Sequence, residues 1–336
     1  MIEEVSRQTP SVLAIDVVIC TYNRAAGLDA VLANLEQQDC GGQIVWRVLV
    51  IDNASTDATP DVVASHIKKD HLPGLRCVFE REQGLTAARL RGVQETTAPW
   101  IAFVDDDNFV APNWLAAVGR AIEARSDAGG IGGKVALDWE VPPPPYLKEF
   151  GFCFAEQDHG DRDCVVDSLA GAGMVLRRAA LTDSGWLARP LIADRVGRRL
   201  VSGGDVEMAQ RVRAAGYSLW FTPDAVLKHR IPASRMSRRY LFRVIRGLGT
   251  SSALIGALTW SADWQSWRRM AHERRRHWYR FAFDRLRGAA SRRRGWTAAI
   301  AWTFFALGFA QGVRRCEALG DSQKAALLGA ACLPVT

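Results

Sequence analysis

The feature that most constrains this chain is an alternation. Short apolar runs at residues 15–20 (IDVVIC), 46–51 (WRVLVI), 75–79 and 100–104 are separated by segments of helical character. Leu28, Val31, Leu32 and Leu35 fall at helical spacing in the first helix, and the second carries Val62, Val63 and Ile67. Residues 84–94 form a third helix, opened by a glycine turn. Strands that alternate with helices pair in parallel, and the crossover helices cover both faces of the sheet. The expected fold class is therefore α/β, with a Rossmann-like, mostly parallel central sheet and flanking helices.

Ligands of such sheets bind beyond the carboxyl ends of the strands. The run Ile101-Ala102-Phe103-Val104 ends at Asp105-Asp106-Asp107. Three adjacent carboxylates repel one another, and a hard divalent cation with oxygen ligands would relieve that repulsion. A solvated acidic turn or a helix cap is the other reading of such a triplet taken alone. The second run ends similarly, in Asp52-Asn53-Ala54-Ser55-Thr56-Asp57, a cluster that can cap the helix behind it.

Beyond the triplet, Pro112-Asn113-Trp114 starts a helix expected to run to about residue 125, and residues 129–137 read as a strand broken by glycines. Four prolines at 142–145 mark a change of register. A weakly patterned stretch to Asp167 reads as loops around short strands, and residues 187–203 as a mobile loop. Gly203-Gly204-Asp205-Val206-Glu207 heads a helix, and residues 217–221 and 225–227 return to strand composition, ending at His229.

With 336 residues, 48% hydrophobic and 24% charged, the chain suits a large globular domain with an appendage and not a disordered protein. Seven cysteines without CxxC spacing argue against a disulfide scaffold or a zinc site and fit a reducing cytosol. The start, MIEEVSRQTP, is polar and acidic, unlike a signal peptide. The net charge of +7 is uneven: residues 235–294 hold 16 arginines, no lysine and three acids, a segment charge of +13 that leaves −6 for the remainder.

Six strings in order, VVICTYNR, VLVIDNASTD, QGLTAARLRG, WIAFVDDDNFVAPNWL, AGAGMVLRRAAL and GGDVEMAQRVRAAGY, resemble family 2 glycosyltransferases, which have the GT-A fold. The resemblance covers residues 16–229, about two thirds of the chain. It implies inverting, divalent-metal-dependent transfer of a sugar from a nucleotide-diphosphate donor to a hydroxyl of a glycan or lipid-linked acceptor. The leaving diphosphate needs a cation and fixed donors, and the attacking hydroxyl needs a base on the opposite face.

By that resemblance Asp105, Asp106 and Asp107 match the DxD motif. Asp107 would bind Mn²⁺ or Mg²⁺, and Asp106 with Asp105 would meet the ribose or metal-bound waters. Asp52 and Asn53 match the pair that reads the nucleobase, although many relatives carry two aspartates there. Cys20, Thr21 and Tyr22 would line the cleft. Arg89 matches an arginine that approaches the nucleotide, with Leu90 standing where asparagine is common; a surface arginine is the other reading. Asp205 matches the catalytic base, with Gly204 in place of the usual glutamate. A carboxylate there can also simply cap its helix, and Glu207 is the fallback base. His229 resembles a histidine that touches the metal or diphosphate, and a buried structural histidine fits equally. Trp186, behind Gly185, could stack on an acceptor sugar or pack in the core.

The expected organisation is a flexible N-terminus at 1–12, a GT-A domain at 13–232 and a helical, arginine-rich region at 233–336. Within the GT-A domain a donor half spans about 13–125 and an acceptor half about 126–232. In the last region arginines 268, 269, 274, 275 and 276 lie among Trp264, Trp267, Trp278, Tyr279 and Phe281. That mixture suits an anionic membrane surface, through residues 237–313, better than nucleic acid in a sugar-transferring enzyme. The uncharged run 295–313 is long enough to span a bilayer, but its threonines, glutamine and glycines favour a buried or interfacial helix. Processive relatives carry QxxRW; here Gln265 and Arg268 are followed by Arg269, which suggests a non-processive enzyme. The expected location is cytoplasmic, on the inner face of the cell membrane.

Overall fold

The computed structural model describes residues 12–192, 194, 202–292 and 295–328. The N-terminus expected to be flexible, apart from Val12, and most of the second half of the 187–203 stretch lie outside the described residues.

The first half runs β1 (Leu13–Thr21), α1 (Ala25–Leu35), β2 (Ile44–Asp52), α2 (Thr59–Lys69), β3 (Arg76–Phe79), α3 (Leu85–Glu95), β4 (Trp100–Phe103). Then follow β5 (Asn108–Val110), α4 (Trp114–Glu123), β6 (Ala128–Trp139), a 3-10 segment (Pro145–Phe154), β7 (Cys164–Val165) and β8 (Val175–Arg177). The rest is α5 (Arg178–Asp183), α6 (Gly204–Ala214), β9 (Ser218–Ile231), a 3-10 turn (Ala233–Met236), α7 (Arg238–Leu258), α8 (Trp264–Arg292), α9 (Trp296–Glu317) and α10 (Asp321–Leu327).

The strands form one sheet in the order β3-β2-β1-β4-β8-β6-β9-β5, with β7 also on β9. β1 to β4 pair in parallel, as do β6 and β9, whereas β8, β5 and β7 run antiparallel to their neighbours. Both faces are buried, which is why the parallel strands read as continuous apolar runs. Successive side chains point to opposite faces: Ile15, Val17 and Ile19 of β1 join α1 and α4 in one core, and Val18 joins α3, α5 and α6 in the other. Each fully buried aliphatic side chain contributes about 1.5–3 kcal/mol relative to an exposed one.

Two readings of the sequence are corrected here. The strand-like stretches 217–221 and 225–227 belong to one 14-residue strand, β9, which accommodates its turn-like Thr222-Pro223-Asp224 by a register shift against β6 at Gly133/Lys134. The weakly patterned stretch holds two short 3-10 turns within Pro145–Phe154, joined across a kink at Phe150.

The C-terminal helices fold onto the sheet domain. Near its start α7 shares a core with the 3-10 segment (Leu241 and Ile245 with Leu147, Phe150 and Phe154), and Ala257 and Leu258 near its end share one with Leu191 and Ala214. α9 lies against α7 so closely that a Cβ on Gly308 would sit 2.0 Å from the Arg246 carbonyl oxygen, and one on Gly312 would sit 2.4 Å from that of Thr250. The Thr250 hydroxyl donates to the Gly308 carbonyl at 3.1 Å across this seam. Both helices have the length and composition to cross a membrane, each with a mean hydropathy of 1.2. As expected for residues 295–313, however, much of α9 is buried within the protein: Ala301, Phe305, Ala306, Phe309, Ala310 and Val313 are covered.

Candidate active site

A cleft of about 750 Å³ opens beyond the carboxyl ends of β1 and β4. Every residue of β4 is buried, so the chain leaves the sheet at Val104 with its next three side chains at the cleft. The short β5 then pairs antiparallel with β9, setting Asn108 opposite His229. That pairing brings His229 Nε2 to 3.3 Å from Asp107 Oδ1. The Asp107 carbonyl also accepts from Arg230 N at 2.8 Å, which fixes the backbone of the triplet.

Around this point the charges are dense. Asp107 Oδ2 meets Arg235 Nη1 at 2.9 Å and Arg24 Nη2 at 3.5 Å. Asp106 accepts from the Thr21 hydroxyl at 2.7 Å and meets Arg24 Nε at 3.4 Å. Burial, and next the charge of Asp107, push the Asp106 carboxyl up to about 6. Burial works in the same direction at Asp107, but His229, Arg235 and Arg24 outweigh it and hold that carboxyl well below the usual range.

Among the described residues no three His, Cys, Asp or Glu side chains are already grouped to hold a metal ion, but Asp107 and His229 offer two donors to a divalent cation. His229 Nδ1 lies 2.7 Å from the Phe154 carbonyl oxygen, which can only accept, so Nδ1 carries the proton. Nε2 faces Asp107 Oδ1, so a cation between them would have one ring-nitrogen and one carboxylate donor. Asp107 and His229, with Asp106 beside them, would hold such an ion.

Across the cleft Asp205 stands in the first turn of α6, where the helix dipole favours a carboxylate. Its Oδ2 accepts from Gly171 N at 3.0 Å. Arg89 lies between the two acidic groups: its Nη2 is 3.8 Å from Asp105, and it also feels Asp205 and Asp194. Burial opposes the charge of this guanidinium, yet the acids together raise its pKa. Arg89 is thus a buried cation and not a surface residue. Cys20, Thr21, Tyr22 and Asn53 line the same cleft. Burial pushes the Cys20 thiol up to about 12, so it stays protonated. The Asn53 side chain donates to the carbonyls of Glu80 and Glu82 and accepts from Gly84 N, pinning the loop ahead of α3.

Four of the expected residues sit elsewhere. Trp186 is fully buried among Leu181, Met208 and Val212, so it is a core residue and cannot stack on an acceptor. Glu207 is likewise sealed in: it accepts from Leu191 N and Ile192 N and pairs with Arg211 at 2.9 Å, which leaves it unable to serve as a base. Gly204 does not line the cleft, and its N–H points to Asp194 at 3.3 Å. Asp52 is buried behind the wall and accepts from Ser55 N at 2.9 Å.

The cleft also holds residues that the sequence reading passed over. Arg235 was counted with the basic tail. Asp194 was part of an unpatterned loop. Phe152, an apolar residue 47% exposed at the cleft wall, lay in the weakly patterned stretch. For Arg24 a signal existed, since it follows Thr21-Tyr22-Asn23 at the end of β1.

A sheet of this order with an acidic triplet beyond its central strand defines a GT-A fold. The family described as Glycosyl transferase family 2 matches residues 16–183, half of the chain, and the chain belongs to that family. Glycosyltransferase AglE of Haloferax volcanii is 28% identical over 221 residues, 64% of this chain and 66% of that protein. A PGL/p-HBAD biosynthesis glycosyltransferase of Mycobacterium bovis is 32% identical over 124 residues, 36% of this chain and 46% of that protein. The matched part thus spans less than two thirds of these relatives. Among solved structures, mannosyltransferase PcManGT from Pyrobaculum calidifontis, in complex with GDP-Man and Mn²⁺, superposes with a TM-score of 0.52 at 18% identity, covering 93% of this chain and 77% of that one. TarS 1-349 of S. aureus gives 0.52 at 17% identity, covering 94% and 86%. These likenesses establish the fold.

Proposed function

We propose that this protein transfers a sugar from a nucleotide-diphosphate donor to a hydroxyl of a glycan or lipid-linked acceptor, non-processively and with inversion at the anomeric carbon, using Mn²⁺ or Mg²⁺. The observation that carries the reading is the meeting in one cleft of the Asp105–Asp107 carboxylates, His229 Nε2 and Asp205. Further support comes from the structural neighbours solved with Mn²⁺ and a nucleotide or nucleotide sugar, and from relatives named for glycan and glycolipid synthesis.

In this reading Asp107 and His229 hold the cation, which when bound neutralises charge on the leaving diphosphate. Asp205 accepts the proton of the acceptor hydroxyl as its oxygen bonds to the anomeric carbon and the bond to the diphosphate breaks. Both Asp205 oxygens accept backbone N–H groups, Oδ2 from Gly171 and Oδ1 from Val206 at 2.9 Å, and a carboxylate oxygen keeps a further lone pair for the proton. Arg89 links the two walls and holds Asp105 in place. The test is transfer or slow hydrolysis from a panel of UDP-, GDP- and dTDP-sugars, with and without chelator. Turnover of one donor that is lost on chelation and restored by Mn²⁺ supports the reading; chelator-insensitive turnover removes the metal from it.

The acceptor side is read from α8. Arg274, Arg276, Tyr279, Arg280, Phe283 and Arg287 are exposed on this helix, and Phe283 and Tyr279 are 59% and 41% accessible. Cations mixed with exposed rings suit an anionic lipid surface, each cation near the surface contributing about 1 kcal/mol. This supports a peripheral position on the cytoplasmic face, where a lipid-linked acceptor is presented. Co-sedimentation with vesicles of graded anionic lipid content tests it: binding that rises with anionic lipid and falls with salt is expected, and tight RNA binding in its place would overturn it.

A further inference from the structure

We infer that Arg235 is a counter-ion that exchanges partners: it holds Asp107 while the cation is away and turns to the donor's diphosphate when the cation takes that carboxylate. The inference rests on the proposed role of Asp107 as a metal ligand and goes beyond it by assigning Arg235, which lies outside all six motifs that carry the family resemblance.

Arg235 Nη1 lies 2.9 Å from Asp107 Oδ2 while His229 faces Oδ1, so both oxygens of the carboxylate already have cationic or ring-nitrogen neighbours. A divalent ion on Asp107 would put like charges side by side, and the guanidinium must then move off. Its freedom to do so differs from that of its surroundings. The turn Ala233–Met236 is held at both ends, by Arg235 N on Pro232 O at 2.9 Å and by the Tyr146 hydroxyl on Met236 O at 2.7 Å, and Met236 is buried. The Arg235 side chain itself keeps 21% exposure and lines the cleft. A fixed backbone with a partly exposed cationic end, in a cleft proposed to receive a diphosphate, suits a phosphate clamp, for which the planar guanidinium fork is well matched. Arg24 is the second cation on Asp107, but it is longer-range at 3.5 Å and shared with Asp106, so the larger exchange falls to Arg235.

The experiment measures two affinities by calorimetry: Mn²⁺ alone, and UDP or GDP at saturating Mn²⁺. In Arg235→Gln, Mn²⁺ affinity without nucleotide should rise about threefold or more, because a competing charge is gone. Affinity for the nucleoside diphosphate with Mn²⁺ should fall about tenfold or more, as a charge-assisted phosphate contact is lost. Arg235→Lys, which keeps the charge without the fork, should leave Mn²⁺ affinity near wild type and still weaken the nucleotide. The exposed Lys68→Gln controls for net charge and should change neither. Opposed changes in the two affinities support the exchange. Unchanged or weaker Mn²⁺ binding in Arg235→Gln, or unchanged nucleotide binding, overturns it. If wild-type protein binds neither Mn²⁺ nor any nucleoside diphosphate, the functional reading itself fails, an outcome distinct from these.

Discussion

The first four strands and the later five deliver charge to the same cleft by different routes. In the first half each polar cluster follows directly on the strand that positions it: Thr21 ends β1, Asn53 follows β2 and the acidic triplet follows β4. In the second half each contribution depends on a pairing distant in sequence. His229 reaches Asp107 because three residues of β5 pair antiparallel with β9, and Asp205 is fixed by the N–H of Gly171, 34 residues away. The first wall is therefore a property of local sequence and the second a property of tertiary assembly. In the proposed reading the first wall, with His229 from the second, holds the donor and its cation, and Asp205 of the second wall activates the acceptor.

The largest test separates the walls. Asp205→Asn keeps shape and hydrogen bonding but cannot take a proton, so turnover should fall by about 10²–10⁴-fold with nucleotide affinity within about twofold of wild type. Asp107→Ala should do the reverse in kind, abolishing the Mn²⁺ dependence of nucleotide binding while the protein stays folded. Steady-state kinetics and calorimetry on the two variants check this. If Asp205→Asn weakens nucleotide binding as much as turnover, the two walls are not separable.

Next in size is the contrast within α6. Asp205 and Glu207 stand two residues apart on one helix, one at the cleft and one sealed inside with Arg211. Glu207→Ala leaves Arg211 buried without its partner and two N–H groups unpaired, a loss of about 3–5 kcal/mol. Folded molecules should nonetheless turn over within about threefold of wild type, which no catalytic base would permit. Denaturant unfolding with active-site-normalised rates decides it.

These two carboxylates also mark what a sequence can disclose. The β1, β2 and β4 runs were legible because both faces of a parallel sheet are apolar, and the triplet because a strand end predicts where its neighbours point. Glu207 and Trp186 carry no mark of burial in the local pattern: an acid in the first turn of α6 and an indole just past the end of α5 read as functional until packing shows them enclosed. Arg235 misleads in the opposite way, since its neighbours in sequence are tail arginines and its partner in space is Asp107. β5 is three residues long, below what periodicity can detect, so the pairing that sets His229 against Asp107 is not legible in the pattern, and only the family resemblance marks His229.

A smaller effect belongs to the first wall alone. The Asp106 carboxyl is raised from about 3.8 to about 6 by burial and by Asp107. The native state without cation therefore holds its proton more tightly than the unfolded chain, so this group's contribution to stability is present at low pH and declines as pH rises from about 4 to about 6. Cation binding needs the ionised form and runs the other way. Mn²⁺ affinity should rise by up to about tenfold per pH unit below about 6 and level off above it. Calorimetric titrations at pH 5 to 8 check it, and a flat profile across this range would take Asp106 out of the cation site.

The smallest predicted effect probes how tightly the second wall is built. Gly171 has no side chain where a Cβ would stand 2.8 Å from Asp205 Oδ2 and 3.0 Å from Arg89 Nη2. Those two are side-chain ends that can give, and Asp205 Cβ, also at 3.0 Å, needs only a small local shift, so Gly171→Ala should fold. The shift, however, falls on the proposed base and on the arginine that joins it to Asp105. A displacement well under 1 Å at a catalytic group should cost about three- to tenfold in turnover. Nucleotide affinity should change less, because Asp107, His229 and Asn53 are untouched. The readout is turnover beside unfolding midpoint: a slower enzyme with an unchanged midpoint places the effect at Asp205, whereas parallel loss of both would mean that the Gly171 strap supports the fold and the second wall tolerates displacement.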